Sequence, residues 1–222
     1  MLIFPPILRR PKGITLAFQE ADNSTSNLTT YTFSGKALGT AASNRQIVVL
    51  VSGHGTSNTT VSTVTVGGVS ATELVYAQQA TGTQIKAIWI ASVPTGTTGD
   101  VVVTFAAGKG SCGIGVYALY GASSSAHATQ TDTTYSTDTV SVSIDVPAGG
   151  VCFAIGTGTA IDASTTWTGL TEDYDAVEES GNRHTGASDL FASAQTGLTV
   201  SAQVANVGGG TGCLAAASVG PS

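Results

Sequence analysis

Charge is what this chain has least of. Only 10% of its 222 residues are Asp, Glu, Lys or Arg, against roughly a quarter in an ordinary globular domain. A free domain relies on such side chains for solubility, so the surface is expected to be hydrated by Thr, Ser and Asn and partly buried in an assembly. The net charge is -6 and the pI is about 4.8, which argues against a nucleic-acid partner. Disorder is excluded as well, because 41% of the residues are apolar and disorder needs low hydrophobicity with high charge. Cysteine is sparse. Cys112, Cys152 and Cys213 cannot all pair within one chain and form no CxxC or Cys/His cluster, so neither a disulfide scaffold nor a zinc site is expected. Each follows a Gly-rich turn and enters an apolar run, AAGKGSCGIGVYAL, PAGGVCFAIG and VGGGTGCLAAAS, which reads as three buried free thiols. No apolar stretch approaches the roughly 20 residues of a membrane-spanning helix, and no membrane insertion is expected. Helical periodicity with caps is missing too.

Strand signals fill the space left by these absences. Short β-branched and apolar segments, separated by turn clusters such as SGHGTSN, PTGTTGD, AAGKG and PAGG, predict strands near 29–36, 46–52, 60–67, 72–79, 84–92, 100–106, 112–120, 139–146, 151–157, 168–177, 184–193, 198–205 and 213–219. So many short antiparallel strands predict an all-β sandwich, a jelly roll or similar Greek-key arrangement, over residues 14–222. The segments 47–51, 85–93 and 100–105 are apolar on both faces. A strand with one solvated face alternates, so these need a second cover from loops or a neighbouring subunit, and a homo-oligomer is expected.

The first thirteen residues, MLIFPPILRRPKG, differ from the rest. They hold three of the eight basic residues and three of the six prolines. The apolar run precedes its positive charges and has no small-residue cleavage site, the reverse of a secretory signal. Paired prolines favour an extended path. Leu2, Ile3, Phe4, Pro5, Pro6, Ile7, Leu8, Arg9 and Arg10 therefore read as an anchoring arm that needs a covering surface.

Few residues point to chemistry. The GKGSCG stretch, Gly108–Gly113, matches the dinucleotide pattern in letters, but a strand follows it where a helix N-terminus would have to receive the phosphates. It reads as a hairpin turn. No nucleophile elbow occurs, and His54, His127 and His184 are scattered among Gly and Ser, so no catalytic residue and no cofactor are expected. The segment 162–193 is the acidic exception, with Glu172, Asp173, Asp175, Glu178 and Glu179 beside Trp167, Tyr174, Arg183 and His184. It is expected to be an exposed hairpin. Calcium at Asp173, Asp175 and Glu178 is disfavoured, because the EF-hand spacing is missing. Trp167, Asp173, Tyr174, Asp175 and His184 remain candidates for a glycan or partner contact, an aromatic face beside carboxylates.

The segments VSTVTVGGVSATEL, IWIASVPTGTTGDVVVTFAAG, CGIGVYALYG and the ending LAAASVGPS resemble Thr/Gly-rich β-sandwich structural proteins of tailed bacteriophages and phage-like gene transfer particles. The resemblance is to spike, fibre or decoration proteins and covers residues 14–222 as a style of sequence. It implies a non-enzymatic virion component, assembled in the host cytoplasm. The partners it implies are other virion proteins and copies of itself, with contact to a host surface glycan, and it implies no catalytic residues. A lectin-like glycan-binding module is the alternative, and a carbohydrate-active enzyme the weaker one.

Overall fold

A computed structural model describes residues 13–55, 59–79, 83–133, 139–158, 164–179, 182–204 and 212–222. The expected arm, Leu2 to Arg10, lies outside the described residues. The first half of the chain forms β1 (Thr15–Ser24), β2 (Leu28–Ala37), β3 (Arg45–His54), β4 (Val61–Val66), β5 (Val69–Ser70), β6 (Thr72–Gln78), β7 (Gln84–Ser92), β8 (Thr98–Lys109) and β9 (Ser111–Tyr120). The second half forms β10 (Ala128–Asp132), β11 (Thr139–Val146), β12 (Gly150–Gly158), β13 (Thr165–Thr168), β14 (Thr171–Glu179), β15 (Asn182–Phe191), β16 (Gln195–Val204) and β17 (Gly212–Val219). All named pairings are antiparallel, and the described residues contain no helix. The all-β antiparallel class is as the sequence predicts.

The two halves repeat one topology. In the first half, one sheet runs β1-β9-β3-β7-β6 and the other β2-β8-β4-β5; in the second, the sheets run β10-β17-β12-β15-β14 and β11-β16-β13. In each half the first strand lies beside the last, and the second beside the last but one. This is jelly-roll wrapping. The halves differ by one strand: β5, beside β4 at the edge of the first outer sheet, has no counterpart in the β11-β16-β13 sheet.

The sheets stack in four layers with three cores between them. Ile47, Val49 and Val51 of β3 enter the first outer core, under the β2-β8-β4-β5 sheet. Val48 and Leu50 point the other way, into a central core where they meet Val151, Phe153 and Ile155 of β12. Cys152 and Ala154 then face the second outer core, under β11-β16-β13. The period-two alternation of a strand thus serves two cores at once, and this is why β3 is apolar on both faces. Its second cover, expected from loops or a neighbouring subunit, is the chain's own second sandwich. The same holds for β7, with Ile85 and Ala87 on one side and Ile88 and Ile90 on the other. On β8, Val101, Val103 and Phe105 are buried while Val102 is half-buried on the outer face, so that strand needs no further layer. Each fully buried aliphatic or Phe side chain contributes roughly 1.5–3 kcal/mol, which makes the central core a cohesive joint.

Across this joint β1 meets β14, β6 meets β10, β9 meets β14, β6 meets β17, and β3 meets β12. With β1 equivalent to β10 and β6 to β14, the contacts exchange under a pseudo-two-fold that passes near β3 and β12. The halves pack as an isologous pair within one chain.

Candidate functional site

The seam between the halves carries most of the polar chemistry, and the 162–193 segment supplies its second wall. That segment is not the exposed hairpin expected from its acidity. β14 and β15 form an edge of the central sheet and pack onto β1, β3 and β9. Glu178 and His184 are buried, and Tyr174 is partly buried against the central core.

Glycines make room for the rings. A Cβ on Gly115 of β9 would lie 2.4 Å from Tyr174 Cε1, and one on Gly186 of β15 would lie 2.3 Å from the same atom. Tyr174 is therefore gripped from two sides. Beside it, a Cβ on Gly113 would lie 2.7 Å from His184 Nδ1, and the Tyr174 and His184 rings sit 5.2 Å apart. Neither ring nitrogen of His184 has a hydrogen-bond partner among the described residues. Burial lowers its pKa to about 4, so the imidazole is neutral at pH 7.

Deeper in the seam, one polar network crosses from half to half. Lys86 Nζ of β7 donates to Ser52 Oγ of β3 at 2.5 Å, Ser52 donates to Glu178 Oε2 of β14, and Ser111 Oγ of β9 donates to Glu178 Oε1 at 2.9 Å. Burial alone would raise the Glu178 pKa, but Lys86, His184 and the two hydroxyls outweigh it and hold it below the ordinary value. Burial lowers the Lys86 pKa against the pull of Glu178. A hydroxyl beside an amine has the makings of a nucleophile and its base. Ser52, Lys86 and Ser111 are all buried, however, and nothing among the described residues opens a path to them. The network is a cross-tie. At its rim Gln84 Nε2 donates to Asn182 Oδ1 at 3.4 Å, and Asn182 Nδ2 lies 3.1 Å from His54 Nδ1.

Where the seam reaches solvent it leaves a groove of about 360 Å³. Leu16 and Phe18 of β1 form one wall, Thr171 and Asp173 of β14 the other, and Ser188, Asp189 and Leu190 of β15 complete it. Phe18 stacks on Tyr174 with centroids 5.6 Å apart and 15° between planes. A β-bulge between Glu172 and Tyr174 brings Asp173 to the same side as Tyr174, as bulges re-aim side chains. Asp173 Oδ2 accepts from Tyr117 Oη at 3.0 Å and from Ser188 Oγ at 2.7 Å. Desolvation raises the Asp173 pKa and nearby Asp189 adds to it, while the two hydroxyl donors oppose the shift. Asp189 Oδ2 accepts the Thr171 amide at 2.8 Å.

The five contact candidates read from the sequence therefore part company. Asp173 lines the groove, and Tyr174 backs its apolar wall through Phe18. Asp175 points elsewhere, accepting from Arg183 Nε and the Thr165 amide, both at 2.8 Å. Trp167 packs against the second outer core and donates from Nε1 to Thr185 Oγ1 at 2.9 Å. His184 is sealed in the seam. Leu16 and Phe18 were not legible as site residues, because β1 carries Gln19, Glu20, Asp22 and Asn23 among its apolar positions and lacks a clean alternation. The GKGSCG stretch is the hairpin between β8 and β9, as expected. Among the described residues no three His, Cys, Asp or Glu side chains converge as a metal site, and no helix is long and apolar enough to cross a membrane. Comparison with known proteins finds no matching family, no matching curated protein and no matching solved structure.

Proposed function

We propose that this chain is a non-enzymatic structural protein of a virion. In this reading it is anchored through its N-terminal arm and built into an oligomeric spike, fibre base or decoration that meets the host surface. The observation that carries the reading is the tandem jelly-roll block itself, two sandwiches locked face to face with Lys86, Glu178 and His184 sealed in the joint. Such a block offers stiffness rather than turnover. Its partners are other virion proteins and copies of itself. The test is to express the tagged chain where particles are produced and separate the particles on a density gradient. The full-length chain should co-sediment with them, and a chain lacking residues 2–12 should keep its β-rich far-UV spectrum yet stay in the soluble fraction. A full-length chain absent from the particles would sink the proposal.

The groove favours a second reading, a glycan site, because it sets carboxylates and hydroxyls beside the apolar faces of Phe18 and Leu190 in a cleft of ordinary ligand size. Titration of the isolated chain with mono- and disaccharides, read from resonances of Phe18 and Leu190, decides this reading.

A further inference from the structure

We propose that the seam groove seats the N-terminal arm, residues 1–12, of a second copy of this chain. The inference rests on the assembly reading above and names the partner surface that the arm would use.

Charge distribution is the first argument. Residues 122–222 hold ten of the fourteen carboxylates and one of the eight cations, Arg183, which is already paired with Asp175. Residues 1–12 hold three cations, Arg9, Arg10 and Lys12, and no carboxylate. The polar side of the groove, Thr171, Asp173, Ser188 and Asp189, belongs wholly to the acidic half. Asp173 uses only Oδ2 for its hydrogen bonds among the described residues, and Oδ1 accepts none. A half-buried carboxylate with an unused oxygen is a receptor for a guanidinium, which supplies charge and a directed donor together.

Apolar matching is the second argument. The other wall offers Leu16 and Phe18, both half-buried, and the floor ends in Leu190, which is 46% exposed and among the few large apolar side chains left in solvent. The arm presents Ile3, Phe4, Ile7 and Leu8 directly before its arginines. Prolines at 5, 6 and 11 restrict the free peptide, so less entropy is lost on docking.

Chain direction favours a second molecule over the same one. Ile14 is already buried in the central core, and Leu16 follows two residues later. An arm serving its own groove would have to reverse beside rigid Pro11, immediately before β1. An arm from a neighbour enters the open groove without reversal. The contact sets an arm against a groove, so it closes a pair where two copies exchange arms and otherwise builds rings or filaments.

The test uses the full-length chain and sedimentation velocity. Leu190→Lys, at an exposed position, should fold normally and weaken self-association by about tenfold or more, as should Arg9→Glu with Arg10→Glu. Combining all three should recover most of the loss, because the new lysine faces the new carboxylates; no recovery overturns the proposal. A chain with Ile7→Cys and Leu190→Cys should form intermolecular disulfides under mild oxidation. A monomer with an internal disulfide would mean that the arm folds back on its own groove, and overturns the proposal. If removal of residues 2–12 abolishes assembly while Leu190→Lys leaves it intact, the arm docks elsewhere; this inference fails and the assembly reading survives. If neither change affects assembly, both fail.

Discussion

The two sandwiches share a strand order and almost nothing else. The first buries three cations, Arg45, Lys86 and Lys109, and fills its innermost strands with large residues, RQIVVLVSGH on β3 and GIGVYALY on β9. The second buries Glu178 and His184 and runs CLAAASV along β17, the strand corresponding to β9. Jelly-roll wrapping therefore needs the apolar alternation and the turns, and tolerates either size of side chain. The charges teach more. Lys86 comes from the first half and Glu178 from the second, so the joint is complementary between unlike halves. Two copies of the first half joined in this way would set Lys86 against β6, the strand equivalent to β14, whose end carries Ala77 and Gln78 and no carboxylate, so the wrong partner would leave a buried cation unpaired. Pseudo-symmetry supplies the geometry, and asymmetry of charge supplies the specificity.

Arg45 shows the same divergence within one half. Fully buried, it donates from Nε to Val93 O at 2.7 Å, from Nη1 to Gly39 O, and from Nη2 to Thr95 O and Gly96 O at 2.8 Å each. Four carbonyls of two connecting segments are pinned by one fork of donors. β12, which corresponds to β3, begins instead with Gly150, where a Cβ would meet Pro147 O at 2.8 Å, and closes its turn by the Gly150 amide donating to Pro147 O.

The largest way to break the complementarity is to remove one member of the cross-tie. Lys86→Met should destabilise the chain by about 3–5 kcal/mol, because it leaves Glu178 buried and uncompensated. The double variant Lys86→Met with Glu178→Met should cost much less than the sum of the singles. Urea unfolding of the four proteins measures this, and additive losses would mean that the two groups do not share one network.

Acid should attack the seam next. The folded pKa of His184 is depressed to about 4 from an ordinary 6.5. Below pH 6.5 the unfolded chain binds a proton that the folded chain refuses, so this contribution is present above 6.5 and lost as the pH falls towards 4. A gap of that size corresponds to about 3 kcal/mol. Glu178, also depressed, adds a loss in the same direction below its ordinary value of 4.5, whereas Asp173, raised by burial, works against the trend. His184→Leu should flatten the dependence between pH 6.5 and 4 by about one proton. An unchanged slope would refute the assignment.

Gly115→Ala sharpens the packing side of the comparison. The added Cβ meets a Tyr174 ring that Gly186 blocks from behind, so overpacking should cost about 2–3 kcal/mol. Gly113→Ala, against the smaller His184 ring, should cost less. Thermal unfolding of both variants checks the order.

The smallest effect concerns the thiols, one in each core. Cys112 faces the first outer core, Cys213 the central one and Cys152 the second outer one. All three are free, and burial pushes Cys152 and Cys213 up to about 12 and Cys112 well above its ordinary value. A thiol reagent should find three groups in denaturant and react slowly with each in the native chain. Mapping which cysteine labels first identifies which layer opens first.

All thirteen segments read as strands overlap strands of the structure, and the four strands not anticipated, β1, β5, β10 and β13, are all sheet edges. Edge position alone does not hide a strand, since β2, β6, β11 and β14 are edges that the sequence does show and β11 alternates cleanly; the four missed ones are short or lack a regular apolar alternation. β10, ATQTD, has no large apolar residue, and β13, TTWT, has one. The groove was illegible for the same reason, since its apolar wall is β1, which lacks that alternation. The acidic segment misled because composition records how many carboxylates a hairpin has and not what they face. Glu178 is held by partners from β3, β7 and β9, which lie 67 to 126 residues away in sequence.

By itself the sequence determined the strand class, the positions of the inner strands, the jelly-roll family of arrangements and the free state of the three cysteines. These follow from local alternation, turn chemistry and counting, all of which act over a few residues. Only the tertiary structure decided that the second cover of β3 and β7 comes from within the chain, that one topology occurs twice, and that Lys86 and Glu178 meet. Two-faced apolarity says that a strand has two neighbours in depth but cannot say which chain supplies them. That choice is made by shape and charge matching across a whole sheet, a property no short window of residues contains.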